Sequence, residues 1–481
     1  MARVLLTHSY FYRLDAKQWA DARPYPPLGT ILAAAVLREQ GHDVEVFDTG
    51  LKHAPDEIRA AIERFRPHML VVYDDGFNYL TKMCLTVMRD AAFRMISLAK
   101  EAGCRVAVNS SDATDHAENY LNAGADVVIL GEGEPALVEI VAKWDAEGPI
   151  DEVAGISVLK DGSIHSTMKR PVQRELDTLP LPAWDLIDVA PYRDLWMRSQ
   201  GFFSLNMATT RGCPFKCNWC AKPIYGNRYN SRSPEHVVRE LELLQQYQPD
   251  HIWFADDIFG LKPGWVQHFR DLLHERGLKI RYKIQSRVDL LLESDTIDAL
   301  VASGLEEVWV GAESGSQRIL DAMDKGTTVE QIAEATTLLR SKGVRVCFFL
   351  QFGYLGETRS DVEKTIRMVE DLMPDDIGVS VSYPLPGTVF YEKVKADLVG
   401  KANWTDSDDL AMMFRNRQRP AYYKRLHRYV HKRYRRKQAL LAIQNGLNGR
   451  SGFTPKRALS ALYYMPAAFL EGERLKRLEN A

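Results

Sequence analysis

The chain has 481 residues, enough for two or three domains with separate cores. It is 46% hydrophobic and 26% charged, with a net charge of −2, which argues against an overall field for nucleic acid. Six cysteines, no apolar run of 18 residues and no leader-like segment argue against a disulfide framework or a membrane span, and for a reducing, cytoplasmic setting.

Five short apolar runs open the chain: 3–9 (RVLLTHS), 43–48, 68–74, 104–110 and 126–131. Each reads as a buried parallel strand, and amphipathic stretches between them read as helices. The alternation predicts an α/β domain over 1–150, a doubly wound, Rossmann-like sheet that binds ligands beyond the carboxyl ends of its strands. Those ends carry Asn109, Ser110 and Ser111 in one loop and Gly131, Glu132 and Gly133 in another. No G-x-G-x-x-G follows the first run, so this is not a nicotinamide fingerprint. Residues 151–198 read as a hairpin turning at Asp161–Gly162 and a Pro-punctuated linker, LDTLPLPAWDLID.

A second alternating array spans 199–400. Six strand candidates, 204–210, 251–256, 280–286, 306–312, 345–353 and 377–383, are separated by helical patterns. Six βα units predict a partial, TIM-like (βα)6 barrel with its chemistry at the strand carboxyl ends. From 401 to 481 the pattern becomes a basic helical extension. Between Leu410 and Leu470 there are fourteen Lys or Arg residues and no Asp or Glu. One reading is a solvated helical face packed on the barrel. Tyrosines and the apolar stretch 458–470 make an anionic membrane surface the better-fitting partner.

Cys213, Cys217 and Cys220 crowd the loop after the first barrel strand, in TTRGCPFKCNWC. Thiolates suit zinc, copper(I) or iron–sulfur clusters. A structural zinc site wants a second ligand pair, and none follows nearby. Cys84, Cys104 and Cys347 stand alone in apolar stretches and read as core thiols. A 4Fe–4S cube held by three thiolates leaves one iron open for a further ligand.

This C-x3-C-x2-C spacing after the first strand of a βα barrel resembles the radical S-adenosylmethionine (SAM) superfamily. FADDIFG (254–260), VGAESGSQRILDAMDKGTT (310–328), FGYLGET (352–358) and YPLPGT (383–388) resemble that family's strand-end segments, over about 200–390. The preceding doubly wound domain, with PPLG, VVILGEGE and the LPLPAWDLI linker, resembles the cobalamin-binding class. The resemblance implies a 4Fe–4S cluster on Cys213, Cys217 and Cys220, and SAM contacts from Trp219, Asp256, Gln285, Arg287 and Glu313. It also implies cobalamin beside Asn109, Ser110, Ser111, Gly131, Glu132 and Gly133. Asn109–Ser110–Ser111–Asp112 departs from the family's Gly-Gly-x-His, and no Asp-x-His-x-x-Gly is present to give cobalt a histidine.

The activity implied is reductive cleavage of SAM to a 5′-deoxyadenosyl radical and methylation of an unactivated carbon of a small-molecule or lipid-like substrate. The alternative is oxidative cyclisation or other oxidoreduction with the same cofactors, as in the anaerobic cyclase branch. A redox or light sensor without turnover is a third reading, disfavoured by the SAM-type segment at Glu313. The implied partners are a small molecule and an electron donor such as flavodoxin or ferredoxin, with no nucleic acid. A cytoplasmic place, peripheral at the inner membrane face through the tail, is expected.

Overall fold

The computed structural model describes residues 1–83, 85–222, 224–401, 403–448 and 454–479; Cys84 lies outside them. The first sheet has the order β2-β1-β3-β4-β5-β6-β7. Its parallel part is β1 (Arg3–Thr7), β2 (Asp43–Phe47), β3 (Met69–Tyr73), β4 (Arg105–Asn109) and β5 (Val127–Ile129). Every residue of the central β3 is buried, because helices cover both faces. The order reverses between β2-β1 and β3-β4-β5, the switch point at which such sheets take ligands.

The predicted hairpin forms β6 (Ile156–Lys160) and β7 (Ser163–Ser166), with Asp161 and Gly162 both at positive φ as a tight turn requires. It adds two antiparallel strands to the first sheet. The following segment is not all linker: Ala190–Gln200 is a helix whose Trp196 and Tyr192 are buried.

The second sheet is a six-stranded half-barrel, β15-β14-β13-β12-β11-β8, parallel throughout and in sequential order. Its strands are β8 (Ser204–Met207), β11 (His251–Phe254), β12 (Tyr282–Ser286), β13 (Leu305–Glu313), β14 (Arg345–Phe352) and β15 (Asp376–Val381). A small antiparallel pair, β9 (Thr210–Arg211) with β10 (Asn230–Ser231), brackets the cysteine loop.

The two sheets meet through the loops at their carboxyl ends. Arg211 on β9 reaches Glu132 and Glu134 after β5. Lys82 after β3 pairs with Asp257 after β11 at 2.7 Å. Phe77 stacks on Tyr225 at 5.4 Å, and Tyr79 meets Trp253 edge-on at 6.0 Å. An excursion between β1 and the helix Leu28–Glu39 strengthens this junction. Asp15 accepts from Ser407 N (3.2 Å) and Oγ (2.8 Å). At the excursion's far end Tyr25 OH lies 3.1 Å from Ser204 Oγ, and Trp196 Nε1 donates to Pro24 O at 2.7 Å.

The tail is a long helix, Pro420–Leu447, and a last helix, Ala461–Glu479, packed together. Part of its positive charge is matched by acids of the same chain. Arg433 binds Glu370 at 2.6 Å, Arg436 binds Glu370 at 3.2 Å, and Arg425 and Lys432 both bind the buried Glu471 at 2.9 Å. The free charge of the tail is therefore smaller than its composition implies. Among the described residues no helix is long and apolar enough to cross a membrane.

Arg211, Glu132 and Glu134 are all nearly inaccessible. Removing the cation leaves two carboxylates buried together, a loss of about 3–5 kcal/mol. Arg211→Ala should therefore lower the thermal midpoint of the anaerobic protein by several degrees. The triple change Arg211→Met with Glu132→Gln and Glu134→Gln should recover most of it.

Candidate functional site

The cysteine loop is fixed at both ends and in its middle. At its start the Asp256 carboxylate accepts from Thr209 N (2.7 Å), Thr209 Oγ1 (2.6 Å) and Thr210 N (2.8 Å). Burial still outweighs these bonds and raises Asp256 to about 6. Gly212 follows at φ +79°, and a Cβ there would lie 2.2 Å from Arg228 O. Only glycine lets the chain cross β10's approach and turn into Cys213.

In the middle, buried Asn218 sits between Cys217 and Trp219. Its Nδ2 donates to Ala322 O and Asp324 Oδ2, both at 2.8 Å, and its Oδ1 accepts from Tyr354 OH at 2.7 Å. Its backbone N donates to Met323 O (3.1 Å), and its O accepts from Phe390 N (2.8 Å). Asn218 thus fastens the loop to the turn after β13 and to the segments after β14 and β15. Sequence reasoning missed it, because its partners lie about a hundred residues or more away.

Cys213, Cys217 and Cys220 are free thiols. Cys213 and Cys217 are half-buried and Cys220 is exposed. Desolvation by the surrounding protein raises Cys213 and pushes Cys220 up to about 12. Thiols so raised become thiolates against the charge of a metal. Among the described residues no group of three or more His, Cys, Asp or Glu side chains is already gathered to hold a metal ion. Three free thiols in one pinned loop fit the three-thiolate ligand set of an iron–sulfur cluster.

Around this loop stand the other expected residues. Arg287, directly after β12, has Nη1 3.9 Å from Cys217 Sγ and its guanidinium 3.7 Å from the Phe215 ring centre. Asp289 holds it in a two-pronged pair at 3.0 and 2.9 Å. Glu313 ends β13 at φ +54°, a left-handed conformation costly for a residue with a Cβ. Its carboxylate pairs with Lys325 Nζ at 2.9 Å, and Lys325 Nζ also lies 5.6 Å from the Trp219 ring centre. A Cβ on Gly311 would come 2.5 Å from Lys325 Nζ and 2.7 Å from Glu313 Oε1, so the glycine makes room for this pair. Thr327 Oγ1 is buried there without a protein partner. Gln285 lies on β12, two residues before Arg287. Strain at Glu313, the glycine cradle and the orphan hydroxyl fit a polar ligand at the barrel mouth. Tyr383, pushed up to about 12 chiefly by burial, faces the same mouth within electrostatic reach of Cys220 and Glu313.

On the opposing sheet, Asn109 Nδ2 donates to Ile129 O (3.1 Å) and Gly131 O (2.9 Å), tying the two carboxyl-end loops together. Ser110 Oγ caps the short helix Ser111–Asp115 through Ala113 N at 2.8 Å, and Ser111 begins that helix. A Cβ on Gly133 would lie 2.9 Å from Asn109 and Tyr73, so that loop is close-packed. Glu132 is engaged by Arg211 and by Gln173 N at 2.6 Å. Asp112, where a histidine might have been expected, is bound by both arms of Arg89 and by Tyr120 OH at 2.7 Å. Tyr79, after β3, is 49% exposed and meets Trp253 of the half-barrel edge-on. Facing carboxyl edges at the switch point of the first sheet fit a large planar cofactor.

The Radical SAM superfamily matches residues 207–369, and the B12 binding domain matches 22–141. An uncharacterised methyltransferase of Pyrococcus horikoshii is 29% identical over 388 residues, 79% of this chain and 81% of that protein. The anaerobic magnesium-protoporphyrin IX monomethyl ester cyclase of Cereibacter sphaeroides is 30% identical over 279 residues, 56% of this chain and 45% of that one. The cobalamin-dependent SAM radical enzyme OxsB, solved with aqua-cobalamin, has the same fold. It superposes with a TM-score of 0.74 at 17% identity, covering 99% of this chain and 80% of its own. With both domains in this order, the chain belongs to the cobalamin-binding radical SAM enzymes. Its cofactors are a 4Fe–4S cluster, SAM and cobalamin.

The ligand assignment yields a direct expectation. Reconstituted protein should carry about four irons per chain, the content of one cube. Cys217→Ala should lose most of that iron and the cluster's visible absorbance while keeping its far-ultraviolet circular dichroism. Full iron in this variant would contradict the assignment.

Proposed function

We propose that this enzyme methylates an unactivated carbon of a small organic substrate held between the two carboxyl edges. The observation that carries this reading is the meeting of the two carboxyl edges: the loops after β3 and β5 join the cysteine loop through Arg211 with Glu132 and Glu134, and through Phe77 with Tyr225. When bound, the cluster and SAM supply a 5′-deoxyadenosyl radical, and cobalamin supplies the methyl group. Cys213, Cys217 and Cys220 hold the cluster. Trp219, Gln285, Arg287 and Glu313 hold SAM, Glu313 being oriented by Lys325. Asp256 acts through Thr209 and Thr210, whose backbone it fixes, and Glu132 acts through Arg211. Asn109, Ser110, Ser111, Gly131 and Gly133 shape the cobalamin-facing wall. Aromatic side chains at the junction exclude water from the reacting carbon. A flavodoxin or ferredoxin supplies the electron.

Anaerobic incubation with SAM carrying a deuterated methyl group, cobalamin, dithionite and a metabolite extract tests this. The expected result is 5′-deoxyadenosine together with an extract compound gaining a labelled methyl. Formation of 5′-deoxyadenosine with a compound losing hydrogens and gaining no label would favour the cyclase-like reading instead.

We further propose that the last helix touches an anionic membrane surface. Leu459, Leu462, Tyr463, Met465, Phe469 and Leu470 are exposed, Leu462 at 80% and Phe469 at 67%, with Lys456 and Arg457 exposed beside them. Apolar and aromatic residues flanked by cations suit the headgroup boundary, each cation adding roughly 1 kcal/mol. The protein should co-sediment with anionic liposomes at low salt, and Leu462→Ser with Phe469→Ser should reduce this by at least half. Pelleting unchanged in the double variant would remove this helix as the contact.

A further inference from the structure

The half-barrel has a second opening, at the amino-terminal ends of its strands and away from the cysteine loop. A recess of about 150 Å³ lies there, lined among others by Arg23, Tyr25, Lys283, Glu307, Trp309 and Arg345. β12 alternates, turning Tyr282, Ile284 and Ser286 to the buried outer layer and leaving Lys283 and Gln285 partly accessible. Lys283 keeps accessible surface although protein surrounds it, so its ammonium faces this recess.

The charges around it are matched, except one. Arg281 makes a two-pronged pair with Glu306 at 2.8 and 3.1 Å. Arg345 binds Glu307 at 3.1 Å, and Trp309 Nε1 donates to the same carboxylate at 2.8 Å. Arg23 lies 3.7 Å from Asp21, and Asp376 lies 3.9 Å from Arg435. His251 is kept neutral by burial, with Nδ1 3.0 Å from Ser204 Oγ. Lys283 has no carboxylate within 4 Å among the described residues, although Glu307 is its neighbour across the strand pair. Its contacts are two rings, Trp253 at 5.2 Å and Tyr25 at 5.5 Å. Such contacts are worth about 0.5–2 kcal/mol, less than the several kcal/mol that desolvating an ammonium costs. Burial accordingly pulls Lys283 down to about 8. The other well-buried cations at the domain junction and barrel mouth, Arg211, Arg287 and Lys325, each have a carboxylate partner.

We propose that this recess is a second ligand site, separate from the cofactor-bearing mouth, for a small organic anion with a flat apolar or aromatic body. The anionic group would lie on Lys283, supplying the charge the protein does not. The body would lie against Trp309, whose other face is packed on Phe349 at 4.8 Å. Nothing in this inference depends on methyl transfer, since the recess lies at the opposite end of the strands from the cysteine loop.

Equilibrium dialysis of the cluster-loaded protein with 1-naphthylacetate and its uncharged counterpart 2-(1-naphthyl)ethanol tests it. The wild type should bind the carboxylate at least tenfold more tightly. Lys283→Met should remove that preference, Lys283→Arg should keep part of it, and both variants should keep their iron and their cleavage of SAM. A measurement without any variant uses mild reductive methylation followed by peptide mass mapping: naphthylacetate should protect Lys283, and the alcohol should not. Equal binding of the two probes, binding of neither, an undiminished preference in Lys283→Met, or unprotected Lys283 would overturn the proposal.

Discussion

The buried ion triad of Arg211, Glu132 and Glu134 is the interaction on which the arrangement depends. Arg211 stands two residues before Cys213, and both glutamates follow the last parallel strand of the other sheet. Phe77 and Tyr225 lie 5.6 and 5.3 Å from its guanidinium, so the group is paired with two carboxylates and flanked on one side by two rings. A buried pair of this kind adds little net stability over apolar replacements, but it tolerates only one register. It fixes which carboxyl edge faces which.

The same logic of over-determined position recurs within the barrel. Asp256 holds the start of the cysteine loop, Asn218 its middle, and Lys325 the strained Glu313. None of these side chains need touch a substrate to matter. A reaction that releases a radical gains selectivity from distances held constant, and such distances come from loops bonded at several points.

Much of the architecture was legible in the sequence because it depends on local pattern. The β-branched runs marked all eleven parallel strands to within a few residues, and Asp161–Gly162 marked the hairpin turn. The cysteine spacing marked the loop after β8 that carries three free thiols. The parts that were not legible are those made by distant partners. Asp256 reads as a ligand-facing acid at a strand end, yet its oxygens are taken by Thr209 and Thr210. Glu132 reads as a polar residue beside the cobalamin site, yet it is bonded to Arg211. Asn218, Lys325 and Lys283 carry no motif signal of their own. The basic tail looked unpaired because its neutralising acids, Glu370 and Asp376, lie in the barrel.

The two carboxyl edges face one another in an arrangement held by Arg211. Its most direct test is electron paramagnetic resonance of the protein holding both the reduced cluster and cob(II)alamin. The account predicts that the two paramagnets sense each other, through split or broadened lines and faster relaxation than either shows alone, and that this coupling weakens in Arg211→Ala. Two independent signals, unchanged by each other's presence in the native protein, would contradict it.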